Sequence, residues 1–270
     1  MHEILDHLDE SAIVLDIGSG PGSFPDDATR ARVFRVDLGQ PGKVPQRFAL
    51  ADAAALPFKS ATFDAVILNH SLEHFPNWKH SVQEIGRVVK KGGAAYIAVP
   101  DAITFTDRLY RKVFRDRGGH VNLFAFAPTL AKSLSWYLDL PHVATRDLHS
   151  SLVFQNRHNT NNQRTRPQMR FLGLPEPLLA FVIRIIRTID KRCQSRLGVY
   201  GWAFFFGNLG ESVDLTPRLN VCVRCGQAHP DAYLEALQLL RPTPLPWPKY
   251  HCPSCGCDNW FVPKIRTGKL

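Results

Sequence analysis

Apolar positions along this chain follow two rhythms. Ala12 to Ile17 is a continuous apolar run broken only by Asp16, the mark of a strand that a parallel sheet buries on both faces. Elsewhere apolar residues recur every three or four positions. Val82, Ile85, Val88 and Val89 predict one helix; Leu109, Tyr110, Val113 and Phe114 place a second over Ile103 to Asp116; Pro128 to Leu138 reads as a third. Pro175-Glu176-Pro177 is a helix start, and Leu178 to Ile189 beyond it is apolar except for Arg184, Arg187 and Thr188. Arg184, Arg187 and Lys191 fall on one face of that helix. The run is too short for a bilayer, which needs about 20 apolar residues. It leaves three readings open: packing within the chain or on a second subunit, a lid over an acceptor pocket, and a helix on a membrane surface with its arginines toward anionic headgroups. Asn156 to Arg170, just before it, is too long and polar for a simple connection, so it is functional or disordered.

The first strand runs into Asp16-Ile17-Gly18-Ser19-Gly20-Pro21-Gly22. Glycines there let the chain turn tightly and approach a ligand closely. A dinucleotide fingerprint spaces them G-x-G-x-x-G and sets a helix N-terminus against pyrophosphate. Here the spacing is G-x-G-x-G behind a carboxylate, which suits a cationic amino acid better than a phosphate.

That segment resembles the first motif of class I S-adenosylmethionine-dependent methyltransferases of the type 11 kind, and the resemblance continues through four successive segments in order. Val33 to Leu38 resembles the family's second strand, whose terminal acid, Asp37 here, accepts from both ribose hydroxyls. Asp52-Ala53 is similar to the segment that meets the adenine, and Phe63 to Asn69 to the fourth strand. Ser71-Leu72-Glu73-His74-Phe75 follows, and Lys90-Lys91-Gly92-Gly93 leads into a fifth strand, Ala94 to Val99, with Lys91 where the subfamily usually has proline. The resemblance implies an α/β fold, a Rossmann-like seven-stranded sheet in the order 3-2-1-4-5-7-6, with Thr145 to Gln155 as the sixth strand and Tyr200 to Phe206 as the antiparallel seventh. It implies cofactor contacts at Asp16, Gly18, Ser19, Gly20, Gly22, Asp37, Leu38, Asp52, Ala53 and Asn69. Only Ser23 to Arg32 separates the glycine loop from the second strand, so the family's helix there is expected to be very short or absent, leaving loop over the methionine end.

Cysteine spacing supplies a second strong motif. Cys222-Val-Arg-Cys225-Gly and Cys252-Pro-Ser-Cys255-Gly, 26 residues apart, are paired C-x-x-C-G knuckles that present four thiolates tetrahedrally, as zinc prefers. They resemble a zinc ribbon with a structural Zn2+; Cys257 competes with Cys255 as a ligand, and Cys193 stands alone. The organisation expected is a methyltransferase domain over 1–215, with an insertion at about 156–198, and a zinc-ribbon module over 216–270. At 270 residues and 44% hydrophobic, the chain has material for both. It opens with no basic, apolar, small-residue leader, so a cytoplasmic protein is expected, with any membrane contact peripheral and through 177–192. Its net charge of +9 is concentrated: Arg157, Arg164, Arg166, Arg170, Arg184, Arg187, Lys191, Arg192 and Arg196 face only Glu176 and Asp190 between residues 155 and 196.

The acceptor is narrowed by elimination. Asn69-His70-Ser71-Leu72 lacks the Asn/Asp-Pro-Pro-aromatic motif that goes with amino-group methylation, and no cysteine follows the fourth or fifth strand to attack a cytosine carbon. Hydroxyl, carboxyl and carbon-acid acceptors remain. For these a neutral histidine is the natural base, and His70, His74 and His120 are the candidates on the carboxyl edge of the sheet. The reading that follows is methyl transfer to a small-molecule or sugar-containing intermediate, lipid-linked acceptors included. Two others stand beside it: an RNA methyltransferase using ribbon and basic insertion on phosphates, and a cofactor-binding scaffold without turnover.

Overall fold

The computed structural model describes residues 1–114, 120–161, 173–209, 216 and 218–263. Packing divides the chain into two units: residues 1–103, 107–147 and 201–216, and residues 104–106, 148–200 and 217–270. The segment 148–200 therefore packs with the cysteine-bearing segment.

The first unit is a seven-stranded sheet with helices against it. Its strands are β1 (Ile13–Ile17), β2 (Arg32–Asp37), β3 (Phe48–Leu50), β4 (Phe63–Asn69), β5 (Val89–Pro100), β6 (His142–Leu148) and β7 (Gly201–Gly207), in the spatial order β3-β2-β1-β4-β5-β7-β6. β1 runs parallel to β2 and β4, and β4 parallel to β5; β7 runs antiparallel to β5, Ile97 opposite Phe204. This is the order expected of the methyltransferase fold. Val14, Leu15, Ile17, Val66, Ile67, Leu68, Ile97 and Phe204 are fully buried, as continuous apolar strands covered on both faces must be. Helices α1 (His2–Leu5), α2 (Trp78–Val88), α3 (Phe105–Phe114, from Asp107 on) and α4 (Ala127–Leu138) belong to the same unit, and α2 buries Val82, Ile85 and Val88 as its spacing required.

Two local expectations change and one is met. The sixth strand ends at Leu148; Leu152 takes a left-handed backbone (φ +64), Val153–Gln155 form a single 3-10 turn, and Val153 is drawn into the core of the second unit. Lys90 to Gly93 is not a free turn, because β5 already begins at Val89 and passes through it, with Gly92 at φ +80. The helix after the glycine loop is reduced to the 3-10 turn Asp26–Ala28, as its length demanded.

The second unit holds α5 (Arg157–Asn161), α6 (Glu176–Cys193), the short pair β8 (Asn220–Val221) and β9 (Ala228–His229), α7 (Asp231–Ala236), and an antiparallel sheet of β10 (Leu240–Arg241), β11 (Lys249–His251) and β12 (Asp258–Trp260). Leu179, Ala180 and Ile183 of α6 share a core with Val221, Val223, Cys222, Cys252 and Cys257. Arg187 is buried and donates to the carbonyls of Val221 (3.2 Å) and His149 (3.1 Å); Arg184 donates to Phe261 O and lies over the Trp247 ring, and Lys191 reaches Pro263 O. The arginine face of α6 is thus turned inward onto backbone carbonyls, not outward to headgroups. The large apolar side chains that α6 exposes are Leu178, Phe181, Ile185 and Ile189. No helix among the described residues is long and apolar enough to cross a membrane. Arg164, Arg166 and Arg170 lie outside the described residues.

Candidate functional site

The carboxyl ends of β1, β2, β4 and β5 meet at one edge of the sheet, and the glycine loop closes it. Gly18, Gly20 and Gly22 all have positive φ (+65, +50 and +122). At Gly18 there is no room for anything larger, since a Cβ would stand 2.4 Å from Ser71 Cβ. Above Gly20 a Cβ would meet nothing within 4 Å.

The loop's amides point inward. Gly18 N and Ser19 N donate to Val36 O, Gly22 N to Ser19 O and Gly20 N to Asp37 Oδ2 (2.8 Å). A pyrophosphate needs free N–H groups here, and these four already serve the protein. Asp37 also accepts from Gly39 N through Oδ1 (3.0 Å), which leaves each of its oxygens a further lone pair for a hydroxyl. Beside it Leu38 is 68% exposed, an apolar surface at the end of β2. Asp52 is exposed and accepts from Ala54 N, Ala53 is buried, and Asn69, at the end of β4, is half-buried. Ser19 Oγ is buried with no hydrogen-bond partner among the described residues, a donor awaiting an acceptor.

Asp16 behaves differently from the other acids. It is fully buried, accepts from Ser23 N (2.9 Å) and Ser23 Oγ (2.6 Å), and lies 3.5 Å from Arg35 Nε. Burial pushes its carboxyl up, while Ser23 and Arg35 pull it down. Burial is the larger influence and the net direction is upward; through its bonds to Ser23 the side chain braces the loop from below. Arg35, absent from the residues singled out above, is the hub of that brace, donating to Asp26 Oδ1 (2.5 Å) and Phe24 O (3.1 Å) while 2% exposed. Its one sequence signal is a lone cation in the apolar run Val33-Phe34-Arg35-Val36.

Beyond β4, the 3-10 turn Leu72–His74 packs against the loop through Ser71, whose hydroxyl donates to Ile17 O (3.0 Å). The backbone carbonyl of Glu73 accepts from the amides of Val121 (2.9 Å) and Asn122 (3.0 Å), and Asn122 Nδ2 donates to Phe75 O (2.7 Å). These bonds hold His120 beside the turn, so that the His74 and His120 rings meet edge to face with centroids 5.1 Å apart. His70, at φ +56, brings Nδ1 to 3.9 Å from Glu73 Oε1. All three candidate histidines thus gather in one cluster, around a glutamate the sequence quoted without a role. Burial pushes Glu73 up to about 7. Burial first, then the imidazoles of His120 and His74, push His70 down to about 4. Gly118 and Gly119 lie outside the described residues.

In the second unit the sulfurs of Cys222, Cys225, Cys252 and Cys255 converge, with Cys222 to Cys255 at 3.5 Å and Cys225 to Cys252 at 3.7 Å. Four thiolates around one Zn2+ with bonds of about 2.3 Å are separated by about 3.8 Å, so the set fits that ion. The amide of Arg224 and Asn259 Nδ2 both donate to Cys222 Sγ at 3.4 Å, partners that orient a thiolate ligand. Cys257 instead offers its thiol to Glu176 Oε2 (3.6 Å), and Arg224 clasps Glu176 through two bonds of 2.6 and 2.7 Å. Cys193 is exposed at the end of α6.

Residues 15–97 match the family model described as Methyltransferase domain, and the sheet order is that of the methyltransferase fold. An uncharacterized protein of Methanocaldococcus jannaschii is 30% identical over 107 residues, 36% of this chain and 49% of that protein. The biotin biosynthesis bifunctional protein BioHC of Cellvibrio japonicus is 31% identical over 148 residues, 49% of this chain and 29% of that protein. The chain thus spans about half the length of the first relative and under a third of the second. Among solved structures, a putative sarcosine dimethylglycine methyltransferase from Galdieria sulphuraria is similar with a TM-score of 0.48 and 17% identity, covering 77% of this chain and 80% of that one.

Proposed function

We propose that this protein transfers the methyl group of S-adenosylmethionine to an oxygen or an acidic carbon of a small-molecule or sugar-containing biosynthetic intermediate, lipid-linked acceptors included. The observation that carries the reading is the state of the glycine loop: its amides are satisfied internally, while a carboxylate with lone pairs to spare and an exposed leucine face the opening above Gly20. That surface suits a ribose and an adenine better than a phosphate, which would find the amides of Gly18, Ser19, Gly20 and Gly22 already engaged. Asp37 would hold the ribose hydroxyls, Leu38, Asp52 and Ala53 the adenine, and Gly18, Ser19, Gly20 and Asn69 the methionine end, with Asp16 and Gly22 supporting the loop from behind.

Bound there, the cofactor supplies a methyl activated on a sulfonium. The protein's own part is to align the acceptor and take a proton from it where there is one. His74 is exposed and His120 half-buried, both within reach of an entering acceptor, so they are the groups we assign to proton removal. The sheet-bearing unit contains no cysteine, which agrees with an acceptor other than a cytosine carbon. The apolar stripe Leu178, Phe181, Ile185, Ile189 favours the lipid-linked class of acceptor. The internal use of Arg184 and Arg187 removes two cations from the RNA reading. We assign the four thiols to a structural zinc that stabilises the second unit.

The test is calorimetric titration of S-adenosylmethionine into zinc-replete protein, with Asp37→Ala as the control. Saturable binding that the substitution weakens by at least about 1 kcal/mol, the scale of one lost hydrogen bond, is expected. Absence of binding at millimolar cofactor would overturn the reading; binding with no methylated product in any extract would leave the scaffold.

A further inference from the structure

We propose that Glu73, His74 and His120 form a second metal site, one that takes a divalent first-row transition ion at the carboxyl edge of the sheet. The carboxylate oxygens and ring nitrogens of these three residues all lie within 4.8 Å of one another. Donors sharing one ion, with bonds of about 2.1 Å, stand about 3.4 Å apart. The three donor groups are thus near ligand spacing, and one of the two imidazoles is exposed and the other half-buried.

Three features argue for a built site. Glu73 is 1% exposed, and its Oε2 has no hydrogen-bond partner among the described residues. A buried carboxylate is costly unless a cation or a set of donors faces it, and here two imidazoles face it. Second, the segment bearing His120 is laced to the turn bearing Glu73 and His74 by the amides of Val121 and Asn122 and by the Asn122 side chain, so ligands distant in sequence are held together by backbone. Third, His70 stands beside Glu73, with Nδ1 3.9 Å from Oε1, where an outer group would orient a ligating carboxylate.

Two imidazoles and one carboxylate suit Zn2+, Fe2+, Co2+ or Ni2+ better than Mg2+ or Ca2+. Three protein ligands leave coordination positions open, as in sites that bind a reactant. A hydroxyl or carboxyl oxygen entering there would lose its proton more readily, to solvent; with the ion bound, this replaces the base role given above to His74 and His120, whose ring nitrogens are then engaged as ligands. The site stands independently of methyl transfer: a protein that fails to bind S-adenosylmethionine would still hold the ion.

Co2+ titrated into the zinc-loaded protein, followed by its visible absorption, tests this. With zinc already on the four thiols, one further equivalent of Co2+ is expected to bind saturably, without thiolate charge-transfer absorption and without releasing zinc. His120→Ala, on a connecting segment where folding tolerates change, and Glu73→Gln should each raise its Kd by about ten-fold or more, with thermal melts reporting the fold. No saturable band in the wild type, or an affinity unchanged in His120→Ala, would overturn the site.

Discussion

Replacing Gly18 and Gly20 by alanine, one at a time, separates packing from ligand access within a single turn of chain. Both residues have positive φ, so either alanine incurs the left-handed cost of about 1–2 kcal/mol. At Gly18 the new methyl would also stand 2.4 Å from Ser71 Cβ and 3.0 Å from Ser71 Oγ, well inside the roughly 3.5 Å at which carbons meet. Relief requires Ser71 to retreat, with loss of its bond to Ile17 O, and overpacking of this kind costs about 1–3 kcal/mol more. The total for Gly18→Ala is about 2–5 kcal/mol. Gly20→Ala adds no clash, and its cost stays at about 1–2 kcal/mol. Its methyl would instead occupy the open space over the loop. Urea unfolding should therefore rank Gly18→Ala as the less stable, while calorimetry should find S-adenosylmethionine weakened at least about ten-fold by Gly20→Ala, or about 1.4 kcal/mol. Wild-type affinity in Gly20→Ala would refute the placement of ligand above the loop. Equal stability of the two variants would refute the packing argument.

Other outcomes follow from single residues. Arg187→Ala should destabilise the second unit by about 3 kcal/mol or more, because it leaves two buried carbonyls without their donor and opens a gap behind α6; a loss below 1 kcal/mol by urea unfolding would contradict that role. Ile185→Lys, on the exposed face of α6, should leave stability within about 0.5 kcal/mol yet reduce flotation with anionic vesicles, and undiminished flotation would sink the lipid-linked preference. Cys252→Ser should lower bound zinc by one equivalent while Cys193→Ser leaves it unchanged; equal zinc in both would dismiss the four-thiol site. His70 remains neutral in the fold down to about pH 4 while the unfolded chain takes up its proton near 6.5, so its contribution is full above pH 6.5 and is lost as pH falls toward 4. His70→Asn, which tolerates the φ of +56, should flatten that decline in thermal stability, and an unaltered slope would show that the acid loss arises elsewhere.

The legible features were those written locally. A strand buried on both faces must be apolar, so β1 stood out, while β4, placed by the resemblance, spans Phe63–Asn69 as read. The C-x-x-C-G pairs likewise carry their chemistry within a few residues, and their four sulfurs do converge. The sixth strand was overextended because Leu152 and Val153 are apolar for the sake of a different core, which no periodicity on one strand reports. The role of Glu73 was not legible for a related reason: the groups gathered at its turn include the amides of Val121 and Asn122, which bond its carbonyl from far along the chain, and a glutamate in such a turn has no local mark of that. Helix α6 makes the point most sharply. Its spacing set Arg184, Arg187 and Lys191 on one face, and a basic face beside an apolar one reads as a surface helix. Yet a guanidinium is as well satisfied by convergent carbonyls as by phosphates, since both present oxygen acceptors to its fork of donors. The carbonyls that decide the matter belong to His149 and Val221, 38 and 34 residues away in sequence. Periodicity names the face; only the long-range fold supplies what it meets, and here that exchange turns Arg184 and Arg187 inward and leaves Leu178, Phe181, Ile185 and Ile189 exposed.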